Sequence, residues 1–198
     1  MKIVVATSNL HKITEIRQIL SPLGFDAVGA SEVGGMPEVV EDGTTFEQNA
    51  VKKAVEGARA LGAMVLADDS GLEVTALGGE PGVYSARYAC EGGNDGRNLA
   101  KLLAKMQGVS DRSARFVCVI ALARPDGTLL GTAFGEVKGT IADGPRGQGG
   151  FGYDPAFIPE GFDRTFGELP AEVKNRLSHR HNALLEAVKI LQGNPAGL

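Results

Sequence analysis

Cysteine is scarce in this chain: only Cys90 and Cys118 occur among 198 residues. Two such isolated thiols make neither a disulfide framework nor the paired spacing of a zinc site. With no signal-peptide pattern either, the cytoplasm is the expected compartment. Long apolar runs are lacking too. The most apolar window, residues 116–123, is far too short to span a bilayer, so no membrane partner is expected. Nor is there a surplus of basic residues. A formal net charge of −4 argues against a broad nucleic-acid-binding face, although a local lysine cluster in an acidic protein can still bind a small anion. Familiar signatures are missing as well. No G-x-x-x-x-G-K-[ST] loop occurs, no G-x-S-x-G elbow surrounds Ser70, and His179 and His181 lack helical metal-ligand spacing. Repeats, low-complexity tracts and long linkers are absent, which leaves one domain over residues 1–198.

What is present suffices for a sizeable core: 43% of residues are hydrophobic and 22% charged, enough for one core or for two lobes sharing a sheet. Apolar runs predict strands at residues 2–6, 25–28, 64–67 and 116–123, with a hairpin returning from residue 129 after Pro125-Asp126-Gly127-Thr128. Helical spacing of Leu10, Ile13, Ile16, Ile19 and Leu20 follows Thr7-Ser8-Asn9. A second helix opens at Thr44 and Thr45, each of which fits a capping box, and runs through Phe46, Ala50, Ala54, Ala58 and Leu61. A third starts at Asn94 or Asp95, and the chain after Pro170 is helical. Early alternation of strands and helices with a late hairpin predicts an α/β fold on a mixed sheet.

Chemistry concentrates in a few segments. Residues 64–67 run into Asp68-Asp69-Ser70-Gly71, which predicts a buried strand ending on two carboxylates, with Gly71 turning the chain. Successive strand side chains face opposite ways, so the two acids have different jobs: one faces a metal or a water while the other anchors the turn. Thr7, Ser8, Asn9, Leu10, His11 and Lys12 lie between a strand and a helix, where unpaired N–H groups and a lysine attract phosphate. Glu41, beside Asp42-Gly43, is a hard oxygen ligand for a cation such as Mg²⁺. Lys53 falls seven residues after Phe46 and shares its apolar face, whereas Lys52 is expected in solvent. The run from Gly144 to Pro155 matches G-x-G-x-x-G but lacks the strand–turn–helix setting of a dinucleotide site; its Phe151 and Tyr153 can stack on a planar base or plug the loop. Lys174 and Ser178-His179-Arg180-His181 form a dense group of donors, suited to a base edge or to an exposed cationic turn.

Taken together, these segments resemble the inosine triphosphate pyrophosphatase family, enzymes of non-canonical purine nucleoside triphosphates (dITP/XTP pyrophosphatases). The resemblance is carried by Ala6-Thr7-Ser8-Asn9 with Lys12, Gly43 to Ala50, Ala67-Asp68-Asp69-Ser70-Gly71-Leu72, the stretch from Leu77 to Tyr88, Gly149 to Pro155 and Ser178-His179-Arg180, in the family's order along nearly the whole chain. Small departures are Ser8, where Gly is frequent, and Val40, where an acid often precedes the metal-binding Glu.

The resemblance implies an elongated, two-lobed α/β fold around a long mixed sheet, with the active site in the cleft, in a homodimer that uses Mg²⁺. It implies hydrolysis of ITP, dITP or XTP to monophosphate and pyrophosphate, cleansing the nucleotide pool of deaminated purines. Residues 7–12 would cradle the triphosphate, with Lys12 and Lys53 neutralising it. Glu41 and Asp69 would hold Mg²⁺, and Asp69 would activate water. Ser70 would touch substrate; Phe151, Gly152, Tyr153 and Asp154 would hold the nucleoside, Phe151 by stacking; Lys174, His179 and Arg180 would read the base edge. The competing readings are a Maf-like pyrophosphatase of pyrimidine or modified nucleotides and a nucleotide sensor without turnover.

Overall fold

A computed structural model describes residues 1–193. It is an α/β protein with a six-stranded mixed sheet and flanking helices, as expected. In chain order the elements are β1 (Lys2–Val5), α1 (Leu10–Leu20), β2 (Asp26–Gly29), α2 (Phe46–Leu61), β3 (Val65–Val74), α3 (Asp95–Lys105), β4 (Ser113–Ala123), β5 (Leu129–Ile141), β6 (Phe157–Pro159), α4 (Ala171–Leu177) and α5 (His179–Gly193). The strand order is β2-β1-β3-β4-β5-β6. β1 lies parallel to β2 (Val4↔Val28) and to β3 (Val4↔Val65), so helices α1 and α2 serve as the crossovers that parallel pairing requires. β6 closes the other edge antiparallel to β5, with Ile141 opposite Phe157. Among the described residues, no helix is long and apolar enough to cross a membrane.

Local chemistry sets the boundaries. Asn9 caps α1 and Thr45 caps α2, whose end is turned by Gly62 in the left-handed region at φ 58°. At the start of α2, Thr45 Oγ1 accepts from Gln48 N–H at 3.2 Å, but Gln48 Oε1 takes the Thr44 N–H at 2.8 Å and not that of its own cap. Glu47 accepts from Thr132 Oγ1 at 2.7 Å, so the expected boxes are replaced by a crossed arrangement. β2 begins one residue later than expected, because Phe25 N–H still closes the turn onto Leu20 O. The larger correction concerns β3. It does not end at the paired acids, and Gly71 does not turn the chain. Glycine permits a turn without requiring one, and buried Leu72 and Val74 carry the strand onward. After Pro170 the helix is interrupted at extended Ser178, giving α4 and α5.

The chain divides into two compact units, one of residues 1–69, 118–135 and 180 onward, the other of residues 70–117 and 136–179. The first packs Ile3, Val5, Ile16, Leu20 and Leu66 with Ile120, Leu122, Leu184 and Leu191. The second has its own core around Leu72, Leu102 and Ile141, with the Phe116 and Phe157 rings 4.7 Å apart and Phe166 beside them, stacked on Phe116 and tilted against Phe157. Leu10, counted in the sequence as part of the α1 stripe, is 72% exposed.

Candidate active site

Alternation along β3 sends Asp68 and Asp69 to opposite sides, where each meets different partners. In the first unit, Asp69 Oδ1 lies 3.2 Å from Lys53 Nζ and its Oδ2 accepts from Asn49 Nδ2 at 3.2 Å. The Lys53 ammonium also donates to the backbone oxygen of Asp68 at 2.9 Å and sits 3.3 Å from Glu41 Oε1. Asn49 and Lys53 are one helical turn apart on α2, on the buried face that the sequence assigned to Lys53. Lys52 points the other way and pairs with Asp42 at 2.7 Å. Burial alone would lower the Lys53 pKa, but Asp69, Glu41 and Asp68 outweigh it and raise it. For Asp69, burial dominates, and the carboxyl sits above its ordinary range despite Lys53 and Lys12.

Asp68 occupies the opposite situation. It is 1% exposed, and its carboxylate takes Lys12 Nζ at 2.5 Å, Arg180 Nε at 2.8 Å and the Cys118 thiol at 3.2 Å. Burial pushes its pKa up, but Arg180 and Lys12 more than reverse that and hold it well below the usual range. Cys118 moves upward, chiefly through burial and then through Asp68. Arg180 also donates to Glu15, so it ties α5 to β3 and α1. The resemblance implies that Arg180 reads the base edge; the structure gives it these carboxylate partners. The guanidinium is 1% exposed because a buried carboxylate needs a charged partner, and the planar fork of Arg supplies one.

The loop of residues 7–12 is already tied internally. Asn9 Oδ1 accepts from the N–H groups of His11 at 2.9 Å and Lys12 at 3.3 Å, and Thr7 Oγ1 accepts from Asn9 N–H at 3.1 Å. The amides of Asn9, His11 and Lys12 are therefore engaged within the segment itself, while the Lys12 side chain reaches Asp68.

The second unit sorts the remaining candidates. Asp154 is buried, and its Oδ2 accepts from Phe151 N–H at 2.8 Å and from Lys174 Nζ at 2.6 Å. Lys174 is buried as well, and its ammonium stands 4.8 Å from the centre of the half-buried Phe151 ring. Tyr153 belongs to the core, its hydroxyl donating to Ser85 O at 2.8 Å, so it is a plug and not a stacking face. The His179 ring is stacked on Phe116 at 4.8 Å, inside the aromatic core. Gly152 N–H donates to Asp95 at 3.0 Å, and Ser70, at the start of this unit, is half-buried on β3.

Sequence reading passed over Asn49, Glu15 and Cys118. For Asn49 a signal existed: it precedes Lys53 by four residues on an apolar face, where a buried amide requires partners. Glu15 and Cys118 gave none, since only the fold brings them to Arg180 and Asp68.

Glu41 and Asp69 are hard oxygen donors that approach one ammonium, Lys53, from within 3.3 Å. Among the described residues, no group of three or more His, Cys, Asp or Glu side chains forms a metal cage. That donor set fits Mg²⁺, which keeps several waters and is bound through one or two carboxylates together with substrate phosphate.

The model of the Ham1 family matches residues 3–190. The dITP/XTP pyrophosphatase of Desulforamulus reducens is 50% identical over 193 residues, covering 96% of each chain. That of Bacillus subtilis is 46% identical over 191 residues, again covering 96% of each. Among solved structures, the Staphylococcus aureus Ham1 protein superposes with a TM-score of 0.86 at 45% identity, covering 98% of this chain and all of the other. A HAM1 protein from Coxiella burnetii gives 0.87 at 38% identity, over 98% of this chain and 99% of its own. Full-length sequence identity and a shared fold agree with the family match: this chain belongs to the Ham1 family.

Proposed function

We propose that this protein hydrolyses deaminated purine nucleoside triphosphates (dITP, ITP and XTP) between the α and β phosphorus atoms, releasing the monophosphate and pyrophosphate with Mg²⁺ as cofactor. Nucleoside triphosphate pyrophosphatase activity follows from its family; the choice of dITP and XTP is supported by the names of its relatives. The observation that carries the reading is the approach of the Glu41 and Asp69 carboxylates to the single ammonium of Lys53.

A triphosphate repels an incoming nucleophile until its charge is balanced. Lys53 and Lys12 supply fixed positive charge for that purpose. Mg²⁺, held by Glu41 and Asp69, would add Lewis-acid polarisation of a phosphoryl oxygen. Asp69 accepts the proton of the attacking water, and the amide of Asn49 and the ammonium of Lys53 fix its orientation. Asp68 takes no proton; it keeps Lys12 in place. In the second unit, Phe151 offers a face to a planar base. One side of its ring carries Lys174, so the base takes the other.

The test is incubation with Mg²⁺ and a panel of dITP, ITP, XTP, ATP, GTP and TTP, with separation of products. Monophosphate plus pyrophosphate from the first three is expected. Diphosphate plus orthophosphate, or preferential turnover of TTP, would overturn the reading. Asp69→Asn should lose at least about 100-fold in kcat while remaining folded; retention of more than about a tenth refutes its role as base.

A further inference from the structure

We propose that Asn49 is a positioning residue whose single amide clamps Gly43 at one end and Asp69 at the other, holding the Glu41 loop and Asp69 in one fixed relation. The proposal rests on the reading of Glu41 and Asp69 as the Mg²⁺-binding acids. Asn49 is 1% exposed in the first turns of α2. Its Oδ1 accepts from Gly43 N–H at 2.8 Å, and its Nδ2 donates to Asp69 Oδ2 at 3.2 Å. The two ends cannot be exchanged. A backbone N–H only donates and an ionised carboxylate only accepts, so the neighbours dictate which end of the amide faces which.

Only glycine closes this clasp. A Cβ at position 43 would lie 2.6 Å from Asn49 Oδ1 and 2.8 Å from Gln48 Cβ. The next backbone group is held in the same manner, Thr44 N–H donating to Gln48 Oε1 at 2.8 Å. Consecutive amides of the loop that follows Glu41 are thus sealed to consecutive side chains of α2. The same helix supplies Lys53, which meets both Glu41 and Asp69. Without the amide, Gly43 loses its acceptor, Asp69 loses a donor, and the two carboxylates retain Lys53 as their shared anchor.

The experiment compares wild type, Asn49→Ala, Gly43→Ala and the double variant. Binding of Mn²⁺, standing in for Mg²⁺, is read from loss of the free-ion paramagnetic resonance signal in the absence of nucleotide; kcat, KM and melting temperature are read separately. Asn49→Ala should weaken Mn²⁺ binding by about 10- to 100-fold, the usual cost of removing a group that orients a metal ligand. Its kcat should fall by a similar factor, with KM within about threefold, since misplacement of reacting groups costs about 10²-fold per ångström. Gly43→Ala, which displaces the amide without removing it, should act in the same direction and serves if Asn49→Ala does not fold. In the double variant the Gly43 substitution should add less than about threefold, because the amide it displaces is already gone. A lowered melting temperature with Mn²⁺ affinity and kcat unchanged would assign Asn49 to folding alone and overturn the proposal. So would fully multiplicative effects of the two substitutions. Absence of turnover in wild type would defeat the functional reading instead, and the Mn²⁺ affinities would still judge Asn49.

Discussion

Replacing Asp68 by Asn keeps the shape of a side chain that is 1% exposed but removes the charge that two cations share. Breaking a buried ion pair by deleting one partner costs about 3–5 kcal/mol, because the remaining charge stays buried. Two features pull this case toward the lower figure. Lys12 is partly exposed and recovers water, and Arg180 keeps Glu15. A loss of about 3 kcal/mol is therefore expected. In a chain of 198 residues, each kcal/mol moves the melting temperature by roughly 2–4 °C, so the drop should be about 6–12 °C. Circular dichroism melts of Asp68→Asn, Arg180→Met and the double variant form the assay. Once Arg180 is gone, the carboxylate has less to balance, so the pair should be less destabilised than the sum of the single variants by at least about 1 kcal/mol. A drop below about 2 °C for Asp68→Asn, or strict additivity, refutes the claim that this ion pair is a coupled structural unit.

Lys12→Ala should lower kcat/KM for every triphosphate alike, leaving the dITP-to-ATP ratio within about threefold, since a phosphate cation does not sense the base; a shifted ratio would move Lys12 away from phosphate. Phe151→Ala should act on KM more than on kcat, because a stacking face binds ground state and transition state equally, and an unchanged KM would remove Phe151 from base binding. Burial depresses the His181 pKa below the ordinary imidazole value of about 6.5. As pH falls through that value the unfolded chain takes up the proton first, so stability present above it is lost on acidification. His181→Gln should therefore show a smaller fall in melting temperature than wild type between about pH 7.5 and about pH 5.5, and an equal fall would dismiss His181 as a contributor.

How much was legible depended on whether a residue's fate is decided locally. Helix starts at Asn9, Thr45 and Asn94 were readable because a cap is a contact two or three residues long. The differing fates of Asp68 and Asp69 followed from strand alternation, and the inward turn of Lys53 from helical spacing. Gly71 misled because residues beyond it, not glycine itself, decide whether a strand continues. Phe151 and Tyr153 sit in a loop without periodicity, so nothing local told the half-buried ring from the core ring. Arg180 and Asp68 are 112 residues apart, and no pattern along the chain announces such a pair.

The first unit draws its core from three separate stretches, and α5 contributes Ala183, Leu184, Ala187, Val188 and Leu191 to it. On a ribosome, β1, α1, β2 and α2 emerge early but cannot finish packing when they emerge. The apolar face awaiting α5 stays uncovered, and Asp68 stays without Arg180, while the whole of the second unit is being synthesised. Contacts that span the sequence in this way slow folding and expose sticky surface in the interval. Late-arriving α5 thus acts as a completeness check: a chain halted before residue 180 has every acid and lysine proposed for hydrolysis and no finished core to hold them.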